Sequence, residues 1–173
     1  MPDRLQSNRL LLVSANADLL RQELAGPAAV GAALQAKVPE DWPPGEFDRG
    51  AVDYFLSQYA TLGAEAEGWF AWYIIDRESQ TLVGSAGYFG PPDEQGQVEI
   101  GYSISSYWRR RGMATEAVAL LTERALENGA WRVIAHTMAD NVASLGALDK
   151  NGFKPTTSTR EGMLCFAVEG ATD

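Results

Sequence analysis

Cysteine occurs once in the 173 residues, as Cys165, and histidine once, as His136. A lone cysteine closes no disulfide within the chain, and one cysteine with one histidine leaves too few soft ligands for a zinc site. No stretch approaches the roughly 18 consecutive apolar residues of a membrane span. Met1-Pro2-Asp3-Arg4 leads into no apolar signal-peptide core, so a cytoplasmic location is the expectation. The nucleotide signatures GxxxxGKS/T and GxGxxG are both missing. Positive charge is scarce as well: 14 Lys+Arg stand against 23 Asp+Glu, for a net charge of −9. The deficit lies in residues 1–108, with 6 Lys+Arg against 15 Asp+Glu, while residues 109–173 balance. Repulsion of this kind argues against nucleic acid or an anionic membrane as the main partner, and favours a cationic one such as an amine. The length predicts one domain, large enough to bury a core without a disulfide or metal.

What is present is a series of strands and helices, more regular in the second half. Arg9–Val13 reads as a strand, followed by a helix capped by Asn16 or Asp18 that ends near Gly26-Pro27. Residues 28–37 are alanine-rich and helical in character. Pro39, Pro43 and Pro44 make residues 38–45 a stiff loop, and apolar spacing predicts a helix from Glu46 to Leu62. Trp69–Asp76 and Thr81–Phe89 read as a hairpin, and Gln97–Ile104 as a third strand after Pro91-Pro92. Ala114, Ala117, Val118, Leu121 and Ala125 form one apolar helical face that stops at Asn128-Gly129. Trp131–Met138 is a strand, Val142–Lys150 a short helix and Met163–Val168 an apolar strand. The β-α-β order from Gln97 to Met138 predicts two parallel strands with a right-handed crossover. The fold class is mixed α/β, with about six or seven strands and four helices.

One segment stands out chemically. Ser105–Gly112 joins a strand to a helix, at the carboxyl edge of the sheet where open α/β sheets bind ligands. A helix start leaves several N–H groups without partners, and Ser, Thr, Asp or Asn usually caps them. Arg109-Arg110-Arg111-Gly112-Met113-Ala114 offers no such side chain. Free donors, small residues, the helix dipole and three cations suit a phosphate, although a solvated basic turn would look the same.

These residues also carry a resemblance. Glu99-Ile100-Gly101-Tyr102, the run Arg109-x-x-Gly112-x-Ala114-Thr115-Glu116-Ala117, then Asn141-x-x-Ser144 and Gly152-Phe153 resemble the GNAT superfamily of N-acetyltransferases. More narrowly they are similar to its RimJ/RimL branch, which modifies N-terminal amino groups of ribosomal proteins. The resemblance implies a single domain over residues 1–173 with the GNAT fold and a splayed parallel strand pair at the cofactor site. It implies acetyl-CoA as co-substrate, no metal, and transfer of acetyl to a primary amine, either a small molecule or a protein N-terminus. Arg109 through Thr115, including Arg110, Arg111 and Met113, would wrap the pyrophosphate. Ser103 and Ile104 would pair with the pantetheine arm, and a backbone N–H there would polarise the thioester carbonyl.

Other roles stay open at this stage. Asn141 would contact the CoA arm, but it is also placed to cap the helix beginning at Val142. Ser144 would lie near the thiol. Relatives place a tyrosine five residues before the Phe of Gly-Phe as acid to the leaving thiolate, and here Leu148 stands there. Ser144 is the substitute candidate. An amine must be neutral to attack, so a base is needed. Glu99, a carboxylate in an apolar strand, and His136, on the next strand, are the candidates, against an ordinary surface glutamate and a partly buried histidine. Trp42, held among prolines, has the best claim of the N-terminal aromatics to line the acceptor site, with Glu99 holding the protonated amine. Leu148 keeps a second class in play, a non-catalytic CoA-binding sensor or interaction module. Monomer and homodimer are both compatible with this length.

Overall fold

The computed structural model describes residues 1–45 and 47–171. Its strands are β1 (Arg4–Gln6), β2 (Leu10–Ser14), β3 (Ala71–Asp76), β4 (Thr81–Tyr88), β5 (Gln97–Ile104), β6 (Arg132–Thr137), β7 (Lys154–Arg160) and β8 (Met163–Glu169). The helices are α1 (Ala17–Ala25), α2 (Pro27–Leu34), α3 (Arg49–Leu62), α4 (Met113–Glu127) and α5 (Val142–Lys150). One sheet runs in the order β1-β2-β3-β4-β5-β6-β8-β7. Every neighbouring pair is antiparallel except β5 and β6, which are parallel as the β-α-β order predicts. No described helix is long and apolar enough to cross a membrane.

The mixed α/β class agrees with the sequence, while the counts rise to eight strands and five helices among the described residues. β1 is three residues long and β7, Lys-Pro-Thr-Thr-Ser-Thr-Arg, is mostly exposed, so neither carries an apolar alternation. Pro155 is tolerated because β7 is the outermost strand of its edge. Gly26 alone separates α1 from α2, with Pro27 opening the second helix. The predicted start at Glu46 lies outside the described residues; α3 begins at Arg49, where the Asp48 carboxylate accepts from Ala51 N at 2.9 Å.

Period two in the strands sends side chains to two cores. Trp72 and Ile74 of β3, with Leu10, Leu12, Val98 and Ile100, pack under α4. Tyr73 and Ile75, with Val13 and Leu82, pack under α1, α2 and α3. Buried on both faces, β3 reads in sequence as an uninterrupted apolar run.

The sheet opens in one place. β5 and β6 pair only at Gln97 with Arg132, Val98 with Val133 and Glu99 with Ile134. Beyond Glu99, β5 remains bonded to β4 through Ile104, whereas β6 turns away with β8. The gap lies at the carboxyl end of the parallel pair, directly before the loop into α4.

α4 is anchored across the sheet by Glu116 in its first turn. Its carboxylate accepts from the Ser7 hydroxyl, from Arg9 Nε at 2.8 Å and from Arg9 N at 3.2 Å, and pairs with Arg9 Nη2 at 2.7 Å. Burial works to raise the Glu116 pKa, but the hydrogen bonds from Ser7 and Arg9 and the Arg9 charge together bring it below the usual 4.5. The unfolded carboxyl therefore takes up its proton first as pH falls. The stability that ionised Glu116 contributes is full above 4.5 and is lost as pH drops through the lower folded value. Glu116→Gln is expected to lower Tm at neutral pH by roughly 2–4 °C, and melting curves across pH should show the gap closing below 4.5.

Candidate active site

α4 starts without a side-chain cap. Gly112 occupies the cap position with φ +77°, a left-handed conformation that favours glycine, and no side chain accepts from the first turn. Arg110 is also left-handed, at φ +61°. Arg109 Nε donates to Ile104 O at 3.0 Å, which folds the loop back onto the end of β5. The result is a cleft of about 580 Å³ between the open edge of β5, the start of α4 and α5.

Most of the expected cofactor residues come together here. Ser103 and Ile104 line the cleft from β5, Arg109, Arg110 and Gly112 from the loop, and Met113, Ala114 and Thr115 from the first turn of α4. Asn141 and Ser144 line it from α5. Arg111 does not. Its guanidinium stacks over Tyr107 at 4.7 Å and Trp108 at 4.9 Å, and its carbonyl accepts from Arg9 Nη1 at 2.6 Å. Aromatic stacking thus engages the third cation outside the lining that the other two share.

Two residues were not singled out from sequence. Lys150 lines the cleft at the end of α5, in register with Ala143, Gly146 and Ala147. That i, i+3, i+4, i+7 spacing with small residues was the available signal. Tyr102 spans the gap in the sheet, its hydroxyl 2.7 Å from Ser144 Oγ. Burial pushes the Tyr102 pKa up, a hydrogen bond with Ser144 offsets this in part, and the phenol stays protonated at neutral pH. Asn141 does cap α5, accepting from Ser144 N at 3.1 Å, so capping and a place on the cleft coexist. Leu148 is fully buried in the core.

A second cleft of about 460 Å³ opens on the α3 side of the sheet. It shares Tyr102, Ser103 and Asn141 with the first. Trp42 is absent from both linings, contrary to expectation. Its ring is buried against Phe47 and Tyr73, and its Nε1 donates to Glu23 Oε1 at 2.7 Å. The loop thus turns the Trp42 ring into the core, while its end, Gly45, lines the second cleft.

Glu99 and His136 touch one another. Glu99 Oε1 lies 2.8 Å from His136 Nδ1, and Arg160 clamps both carboxylate oxygens, at 2.6 and 3.1 Å. The Glu99 and His136 side chains are 14% and 9% exposed, and neither residue is in the lining of the two clefts. Cys165, opposite His136 on β8, is buried and lines neither cleft.

A splayed parallel pair beside an uncapped, cation-flanked helix start defines an acyl-CoA-dependent transferase fold. The chain belongs to the GNAT acetyltransferase family: the model of the acetyltransferase (GNAT) domain matches residues 16–154. It is 30% identical over 150 residues to the uncharacterized N-acetyltransferase YjdG of Bacillus subtilis (strain 168), covering 86% of this chain and 88% of that protein. The ribosomal-protein-S5-alanine acetyltransferase of Vibrio fischeri superposes with TM-score 0.66 at 15% identity, covering 96% of each chain. RimL, a ribosomal L7/L12 α-N-protein acetyltransferase solved with coenzyme A, superposes with TM-score 0.64 at 16% identity, covering 96% of this chain and 98% of that one. The protein is thus an acetyl-CoA-dependent acetyltransferase.

A bulky side chain at the α4 start should close the first cleft. Calorimetric titration is expected to give micromolar acetyl-CoA binding to the native chain, and binding weaker by about tenfold or more in Gly112→Trp. A circular dichroism spectrum matching that of the native chain would show that the variant is folded.

Proposed function

We propose that the protein transfers the acetyl group of acetyl-CoA to a primary amine by direct attack, with both substrates bound at once. The observation that carries this reading is the meeting of the two clefts at Tyr102, Ser103 and Asn141. A thioester reaching that junction from the first cleft would be within reach of an amine in the second, which is the proximity a bimolecular transfer requires. Acetyl-CoA supplies an activated acetyl group and a good leaving thiolate. The chain supplies position, polarity and proton transfer.

The N–H groups of Met113, Ala114 and Thr115 at the α4 start would meet the pyrophosphate, with Arg109, Arg110 and Lys150 adding charge. The edge of β5 from Ile100 to Ile104 has no β6 partner, so its backbone is available to an extended amide-bearing chain and to the thioester carbonyl. A protonated Tyr102 donating to Ser144 Oγ leaves the serine's own proton free to face the departing sulfur. This pair would stand in for the tyrosine that Leu148 replaces.

The amine's proton would leave through the Glu99–His136 pair, by way of water, since neither residue lines the clefts. Glu99 accepting from Nδ1–H sets the tautomer and leaves Nε2 as the basic atom, as a carboxylate does for histidine in hydrolase triads. Arg160 holds Glu99 in that orientation.

His136→Ala is expected to lower kcat by about 10²-fold while leaving acetyl-CoA affinity in place; a loss of less than about tenfold would make the pair a structural brace. For the proton donor, Ser144→Ala should lower kcat by about tenfold or more. Tyr102→Phe should fall in the same direction, and the double variant should be no worse than Ser144→Ala alone, since both residues act through one proton. Steady-state thiol release measures all three.

A further inference from the structure

The second cleft has an unusual composition for a site on an acidic protein. Its floor is bare. In the β4–β5 register, Ser85 lies opposite Ser103 and Gly87 opposite Gly101, all four on the face turned towards α3. A larger side chain has no room at Gly87 and would displace the Phe89 ring at Gly101. A Cβ on Gly87 would sit 2.0 Å from Phe70 O, and one on Gly101 would sit 3.2 Å from the Phe89 ring.

Its walls are aromatic. Phe55 lies 6.3 Å from Phe47 and 6.1 Å from Phe70, ring centre to ring centre, and Tyr54 lies 5.7 Å from Phe55. Phe89 closes the far side, 63% exposed at the mouth and packed over Gly101. Among the described residues that line the cleft, none carries a charge. The polar side chains are neutral: the serine hydroxyls, the phenols of Tyr54, Tyr88 and Tyr102, and the Asn141 amide.

The geometry points to a small primary amine bearing one planar apolar group, its nitrogen one or two carbons from an aromatic ring, as the acceptor. This rests on the acetyl-transfer reading of the same site and adds the chemistry of the substrate. A flat floor of small residues between ring-lined walls receives a planar group by offset or edge contact and removes its apolar surface from water. The nitrogen of such a molecule would lie towards Gly101 and Ser103, where the two clefts join. A second ammonium or guanidinium placed against these aromatic walls would lose its hydration with no carboxylate among the described lining residues, which disfavours polyamines and aminoglycosides. A cleft of about 460 Å³ is the size of a small-molecule site.

The test is thiol release from acetyl-CoA by the full chain, comparing 2-phenylethylamine with spermidine, kanamycin and a short peptide with a free serine N-terminus. The expected result is kcat/KM for 2-phenylethylamine at least about tenfold above each of the others. Phe89→Ala should raise KM for 2-phenylethylamine about fivefold or more, without changing KM for acetyl-CoA. Phe89 is exposed, so its removal leaves the core intact. Equal or faster turnover of spermidine, kanamycin or the peptide overturns the inference and leaves the acetyl-transfer reading standing. No turnover of 2-phenylethylamine at millimolar concentration also overturns it. Failure of the native chain to bind acetyl-CoA in calorimetry overturns the acetyl-transfer reading, and this inference falls with it.

Discussion

Five residues of β5, Ile100 to Ile104, have a hydrogen-bonded strand on one side and none on the other. Backbone N–H and C=O groups away from solvent require partners, and a strand in the middle of an eight-stranded sheet would normally find them in its neighbour. Here β6 pairs for three residues and then follows β8. The remaining groups form a free edge inside the protein, and the clefts, the α4 start and the α5 cap are all arranged around it.

The surroundings of that edge are held by contacts that leave it open. Arg109 Nε returns to Ile104 O and ties the loop to the strand's end. Glu116, gripped by Ser7 and Arg9, fixes the first turn of α4 against the other end of the sheet's sequence. Asn141 caps α5 and so sets where Ser144 stands, and Tyr102 reaches from the edge to that serine. Each contact is modest in energy, but together they place an uncapped, cation-flanked helix start, a hydroxyl pair and a neutral aromatic slot around one point.

Much of this was legible from residue order. The apolar run of β3, the alternation in β5 and the helical face of α4 each reflect burial imposed by the layers above and below, and their spacing survives in the sequence. The missing cap before Met113 was equally visible, because capping depends on neighbours a few residues apart. β7 was not, since an edge strand exposed on most positions needs no apolar pattern. Trp42 was misplaced for a related reason: proline stiffness predicts a loop but not which surface the loop lies on, and the ring is buried against Phe47 and Tyr73.

By itself, the sequence determined most of the order of elements, the parallel β5–β6 pair, the uncapped basic turn and the family. These all follow from periodicity and short-range chemistry. Only the tertiary structure decided that Glu99, His136 and Arg160 form one cluster, that Arg111 stacks on Tyr107 and Trp108 and that Tyr102 meets Ser144. Those partners lie far apart along the chain or depend on the direction of a single side chain. Contact of that kind is set by how strands register and sheets splay, which no local pattern encodes.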